Sequence, residues 1–166
     1  MPLPRAAYRA RQFFQALFPL TDAAAMAEAR AMLADGEWRL FEGMAARDRR
    51  HGIEVMRRLR TAGEHDRDLL AAALLHDCGK GDVPVWLRVA WVATPWAVRA
   101  LASGVADPEG PGNRRAARRL LDHARLGAAR ARAAGASAAT VRYIEGSAAP
   151  EEQAKIAMLR AADDRS

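Results

Sequence analysis

Cysteine occurs once in this chain, at Cys78. That excludes an internal disulfide framework and predicts a reducing compartment. Lysine occurs only at Lys80 and Lys155, so the basic character rests on arginine, spread along the sequence rather than gathered into a run of the kind that marks a nucleic-acid tail. No uncharged apolar run reaches the roughly 18 residues that a membrane-spanning helix needs. The nearest, Val83 to Leu101, is interrupted by Arg88, Arg99, Pro84 and Pro95. The first residues, Met1 to Leu20, lack a continuous signal-type apolar stretch, and the expectation is a cytoplasmic protein. Alternating β-branched stretches are also missing, which argues against sheet structure.

What remains is helical. A length of 166 residues suits one domain, and 51% hydrophobic with 28% charged residues places the chain among globular proteins. Apolar residues recur at three and four positions in windows of good helix formers. The pattern predicts helices over Tyr8–Phe18, Ala23–Leu33 ended by Gly36, Glu37–Arg47, a helix starting near His51 and closed by Gly63, and Arg67 to about Asp77 capped by Asp66. Val85–Leu101 follows, beginning at Pro84 and bent or split by Pro95, then Arg114–Ala134 stopped by Gly135. A short helix capped by Ser137 and a last one from Pro150 to about Ala162 complete an all-α bundle. Residues 103–113, rich in glycine and proline, form a loop, either a mobile lid or a surface connection. Residues 1–47 are expected to be a helical extension packed on the same domain as residues 48–166.

One constellation stands out. In Leu69-Leu70-Ala71-Ala72-Ala73-Leu74-Leu75-His76-Asp77-Cys78-Gly79-Lys80, the His76-Asp77 pair continues the apolar stripe of Leu69 and Ala73. His51 shares a face with Val55 and Leu59, and Asp163 follows Ile156 and Leu159 at spacings that turn it inward. Polar groups aimed at a core must find partners, since an unpaired buried carboxylate is costly. One divalent cation satisfies all of them, and imidazole nitrogen with carboxylate oxygen suits zinc, manganese, iron, nickel or cobalt.

This pattern resembles the HD-domain superfamily of metal-dependent phosphohydrolases, whose members carry an early histidine, a His-Asp doublet in an apolar helix commonly followed by Gly-Lys, and a distant aspartate. The resemblance spans about Asp48 to Asp163, with "AALLHDCGK" its most specific part. It implies an all-helical, HD-domain-like bundle of about seven to nine helices. It also implies a metal centre of His51, His76, Asp77 and Asp163, with Asp164 the alternative last ligand. The ion would be Mn, Fe, Co, Ni, Zn or Mg. Asp77, Lys80 and His123 would then be the catalytic group, with Lys80 near the substrate phosphate. For His123, binding a second ion, contacting phosphate, acting as an acid and being only a helix-surface or core histidine all stay open. Two-metal members supply a further double histidine before a glutamate. Here the corresponding place is near Tyr143-Ile144-Glu145, which disfavours a full second site and a cyclic-dinucleotide substrate.

The implied reaction is hydrolysis of a nucleotide or other small phosphate ester by a metal-activated water. The alternative is a binding or regulatory module for a phosphate-containing ligand with weak turnover. Glu54 reads as an exposed helix glutamate, His65 as a surface residue and Cys78 as a small packing residue. Trp86, Trp91 and Trp96 recur every five residues; core packing is their plainest reading, with a homodimer surface or peripheral membrane contact as alternatives. The net charge of +6 favours an anionic partner, and no nucleic-acid-binding motif is recognisable.

Overall fold

The computed structural model describes residues 23–147 and 149–164; the expected first helix, Tyr8–Phe18, lies outside them. All regular structure among the described residues is helical. We number the helices α1 (Ala23–Met32), α2 (Asp35–Glu42), α3 (Ala46–Thr61), α4 (Arg67–Leu75), α5 (Val85–Ala93), α6 (Pro95–Ala102), α7 (Asn113–Ala133), α8 (Ala138–Glu145) and α9 (Gln153–Asp163). A 3-10 turn at Pro150–Glu152 precedes α9.

Several ends follow from local chemistry. Asp66 accepts from the amides of Asp68 and Leu69 and starts α4. Ser137 does the same for α8 by accepting from Thr140 N. Gly63, Gly135 and Gly146 take positive φ just beyond α3, α7 and α8. Pro95 occupies the first position of α6 and splits the Val85–Leu101 stretch into two helices.

Other ends depart from expectation. Glu37–Arg47 is not one helix: α2 stops at Glu42, and α3 begins at Ala46, before His51. Arg49 fixes the break by donating from Nη1 to the carbonyls of Glu42 and Met44, which are left without helical partners. Gly36 does not end a helix. It lies inside α2, where an added Cβ would fall 2.1 Å from Ala134 O, so its role is close approach to the end of α7. Pro84 sits just before α5 rather than within it.

The main core joins α1–α4 to α8, α9 and the C-terminal half of α7. A second, smaller cluster joins α5 and α6 to the N-terminal half of α7 through Val83, Leu87, Val98, Ala102, Ala116 and Leu120. Helix α7, 21 residues long and so about 31 Å, therefore ties the two together. Helix α4 is the centre of the main core, since every residue from Leu69 to Leu75 is buried. The expected boundary between residues 47 and 48 falls in the first turn of α3, and α1 and α2 share the main core with α4.

Three further features bear on the site. Arg119 is 6% exposed and has no carboxylate partner. Its guanidinium donates to the carbonyls of Lys80 and Asp82 on one loop and Pro108 and Gly110 on the other. The 103–112 loop is thus clasped to the segment after the His-Asp doublet, which favours the surface connection over the lid. Asp48 is buried on α3 and accepts two bonds from Arg88 of α5, at 2.8 and 2.9 Å. Core packing does not account for all the tryptophans, because Trp86 and Trp96 are exposed while Trp91 is partly covered.

Candidate metal centre

Two helices cross at the site. α3 and α4 meet at Gly52, where a Cβ would lie 2.7 Å from Leu74 O. Only a glycine admits this approach, and it sets His51 of α3 beside His76 at the end of α4, with ring centroids 5.1 Å apart. Beyond α4 the chain turns back tightly, with Cys78 N bonded to Leu75 O and Lys80 N to Asp77 O. Gly79 packs directly on α7, where a side chain would meet His123 O at 2.0 Å. That contact buries Asp77 and brings His123 to the same region. The last turn of α9 delivers Asp163 from the opposite side.

Ligand atoms of His51, His76 and Asp77 all lie within 4.8 Å of one another. Asp163 Oδ1 accepts a 2.7 Å bond from His51 Nε2 and lies 3.4 Å from His76 Nε2. Three of the four expected ligands, His51, His76 and Asp77, thus form one cluster, and Asp163 joins it through the two histidines. Asp164 is exposed just past the end of α9, so Asp163 is the better placed of the two.

The atoms left without partners have the chemistry of cation ligands. His76 donates from Nδ1 to Ala73 O at 2.9 Å. This fixes its tautomer and leaves a lone pair on Nε2. Among the described residues, His76 Nε2 and Asp77 Oδ1 are both buried without a hydrogen-bond partner, and they stand 3.4 Å apart. Two orphaned acceptor atoms facing each other in a dry position are a costly arrangement unless something positive joins them. His51, His76 and Asp77 could hold a divalent ion there, with Asp163 beside the two histidines.

The local electrostatics agree with a cation-attracting site. Burial works against the charged form of His76, but the carboxylates of Asp163 and Asp77 outweigh it and hold its pKa above the usual value. Burial likewise opposes ionisation of Asp77, yet the adjacent His76 and Lys80 hold its carboxyl low. The hydrogen bond from His51 and the adjacent ring of His76 keep Asp163 well below the ordinary carboxylate range despite partial burial. Both acids are thus ionised near neutrality, as metal ligation requires.

Around this centre lie the other expected groups. Lys80 Nζ donates to Asp77 Oδ2 at 2.6 Å and remains partly exposed. His123 donates from Nδ1 to Leu120 O; burial first, and the charge of Lys80 with it, push its pKa down and keep the ring neutral. His123 lines a cavity of about 180 Å³ with His76, Tyr143, Glu145, Arg160 and Asp163. On the opposite side Asp77 borders a second cleft of about 260 Å³ with Arg39, Asp48 and Arg130. Glu54 and His65 are exposed as expected, and Glu54 pairs with Arg58. Cys78 is buried with its thiol pushed up to about 12, chiefly by desolvation, and its Sγ faces Gly127 O.

Sequence reasoning missed Asp48, Arg130 and Arg160 as neighbours of the site. The spacing of Asp48, one turn before His51, was the available signal for the first. Arg130 holds Cys78 O at 2.8 Å from 52 residues away, and no local pattern announces that contact. No protein-family model, curated protein or solved structure matches the chain.

Proposed function

We propose that this chain is an HD-type metal-dependent phosphohydrolase acting on a nucleotide or another small phosphate ester. The observation that carries the reading is the pair of buried, unpartnered atoms His76 Nε2 and Asp77 Oδ1, set beside His51 and Asp163. His51, His76, Asp77 and Asp163 would hold the ion. When bound, it would supply Lewis acidity toward a phosphoryl oxygen and activation of water near neutral pH.

The chain's own residues have distinct tasks. Lys80 steadies Asp77 through a short charge-assisted bond and has exposed surface left to meet a phosphate oxygen. His123 is neutral, with its Nε2 free of the Leu120 bond, which suits it to accept or deliver a proton in the cavity. Arg160 on the rim offers a further positive group to an anionic substrate. Tyr143 and Ile144 wall this cavity where two-metal relatives would place histidines, which supports a single ion. The cavity is smaller than the roughly 300–1,000 Å³ that encloses a whole drug-sized ligand. It therefore suits the reacting phosphoryl group, with the rest of the substrate extending outward.

The test couples elemental analysis of purified protein to a hydrolysis panel of nucleotides and phosphomonoesters with added Mn²⁺, Co²⁺, Ni²⁺ and Mg²⁺. His76→Ala and Asp77→Ala are expected to lose both stoichiometric metal and turnover. Turnover at the parent rate in both folded variants overturns the proposal. Metal and phosphate-ligand binding without turnover in the parent would favour the non-hydrolytic binding module instead.

A further inference from the structure

Helices α5 and α6 expose an apolar face that the metal centre does not use. Val85, Val89 and Val92 recur at intervals of four and three, so they form one stripe along α5. They are 60%, 61% and 83% exposed, and Trp86 and Trp96 beside them are 52% and 72% exposed. The buried residue of α5, Leu87, points the other way into the smaller core. Single exposed apolar residues are ordinary on protein surfaces, but five large ones on one helical pair are not.

The segment that carries this face bears charge of one sign. From Val83 to Ala106 the sequence contains no acidic residue. Arg99 is exposed on α6, with its guanidinium 5.0 Å from the ring centroid of Trp91. Arg114, exposed at the start of α7, reaches back to the carbonyls of Leu101 and Ser103 at the end of α6. Neither arginine is bonded to a carboxylate among the described residues. Arg99 lies three residues after the exposed Trp96 and so shares its side of α6, and Arg114 flanks the end of that helix.

We propose that the outer face of α5 and α6 docks the protein on the surface of an anionic lipid bilayer. Tryptophan suits the headgroup boundary because its ring is apolar and its N–H is polar. Valine side chains gain from entering the acyl margin, and exposed arginines meet lipid phosphates. No helix among the described residues is long and apolar enough to cross a membrane, so the contact is one of lying on the surface. A second copy of the chain fits this face less well, since it would bring the same basic, acid-free rim against its like. The inference is independent of the hydrolase reading.

Full-length protein is sedimented with vesicles of phosphatidylcholine alone and with added phosphatidylglycerol, at low and high salt. Binding is expected only with the anionic vesicles, weakened by salt, with a blue shift of tryptophan emission. Val92→Asp and Trp96→Ser replace highly exposed side chains, and thermal melts check that they fold as the parent does. Each should lower the partition coefficient about tenfold or more, the equivalent of losing one buried apolar side chain. Arg99→Gln should give a smaller loss confined to low salt. Undiminished vesicle binding by Val92→Asp and Trp96→Ser would mean adhesion by net charge alone and overturns the proposal. So does absence of vesicle binding, whether the protein is monomeric or forms a dimer in the ultracentrifuge that Val92→Asp dissociates.

Discussion

Replacing Gly52 by alanine sets two opposing effects against each other at the point where the metal centre is assembled. Gly52 lies inside α3 with ordinary helical surroundings, and Gly→Ala in a helix interior gains up to about 1 kcal/mol from backbone propensity. The new Cβ, however, would stand 2.7 Å from Leu74 O and 3.2 Å from Ala73 O. Carbon–oxygen contacts prefer roughly 3.3 Å or more, so α3 must retreat from α4 by about half an ångström or the carbonyls must tilt. Both neighbours are backbone at the last turn of α4 and cannot swing aside. Overpacking of this kind costs about 1–3 kcal/mol. The clash is expected to win, leaving the variant about 1–2 kcal/mol less stable than the parent in urea melts. Because residue 51 moves with residue 52, the variant should also retain less metal after dialysis against a weak chelator. Gly43→Ala is the control. An added Cβ there touches only carbonyls of its own turn at 3.5 and 3.6 Å, its φ of −71° is open to alanine, and stability should be unchanged or slightly raised. If Gly52→Ala proved as stable as the parent with full metal content, the argument that this close contact positions His51 would fail.

Three other outcomes follow from the structure. Burial opposes ionisation of Asp66, but the Lys155 ammonium and the amides of Leu69 and Asp68 prevail and depress its pKa. Its charge-linked stabilisation is therefore complete above the ordinary carboxylate range near pH 4 and is lost as pH falls through the lower folded value. Asp66→Asn keeps the cap acceptor and removes the charge, so the gap in Tm between parent and variant should be steady from about pH 5 to 8 and close on acidification. A gap that widens in acid would contradict this sign. Asp48→Ala strands the partly buried guanidinium of Arg88 and should destabilise by about 3–5 kcal/mol in chemical denaturation, whereas the double change Asp48→Leu with Arg88→Met should recover much of that loss. Cys78, buried and with its thiol raised to about 12, should resist a disulfide reagent at pH 8 in the native protein and react at once in denaturant.

The parts of the fold that were legible in the sequence are those decided by neighbours in the chain. Asp66, Ser137, Gly63 and Gly135 act within four residues of their own positions, and Pro95 divides a helix by its own ring. The inward facing of His76 and Asp77 was legible too, because helical periodicity carries a side chain's direction over two turns; Asp163, with its side chain 41% exposed, lies at the edge of the core instead. The break after Glu42 was not, because an arginine on the next helix supplies its cap. Gly36 looks like a stop signal in sequence and Gly52 carries no signal at all, yet each marks a place where two backbones touch. Such a role depends on what lies opposite, which no spacing records. The Asp48–Arg88 pair and the buried Arg119 were hidden for the same reason: their partners are 40 and up to 39 residues away.

The clasp made by Arg119 limits how this chain can be altered. A guanidinium offers five N–H donors in a rigid plane, while lysine offers three on a single rotating nitrogen. With carbonyls of Lys80, Asp82, Pro108 and Gly110 all gathered around it, no other natural side chain can serve both loops at once. A glycine- and proline-rich connection would ordinarily be the place to graft a tag or open a new terminus. Here an insertion between Pro108 and Gly110 would pull on the same knot that fixes Lys80, so the most dispensable-looking stretch of the protein is a poor site for engineering.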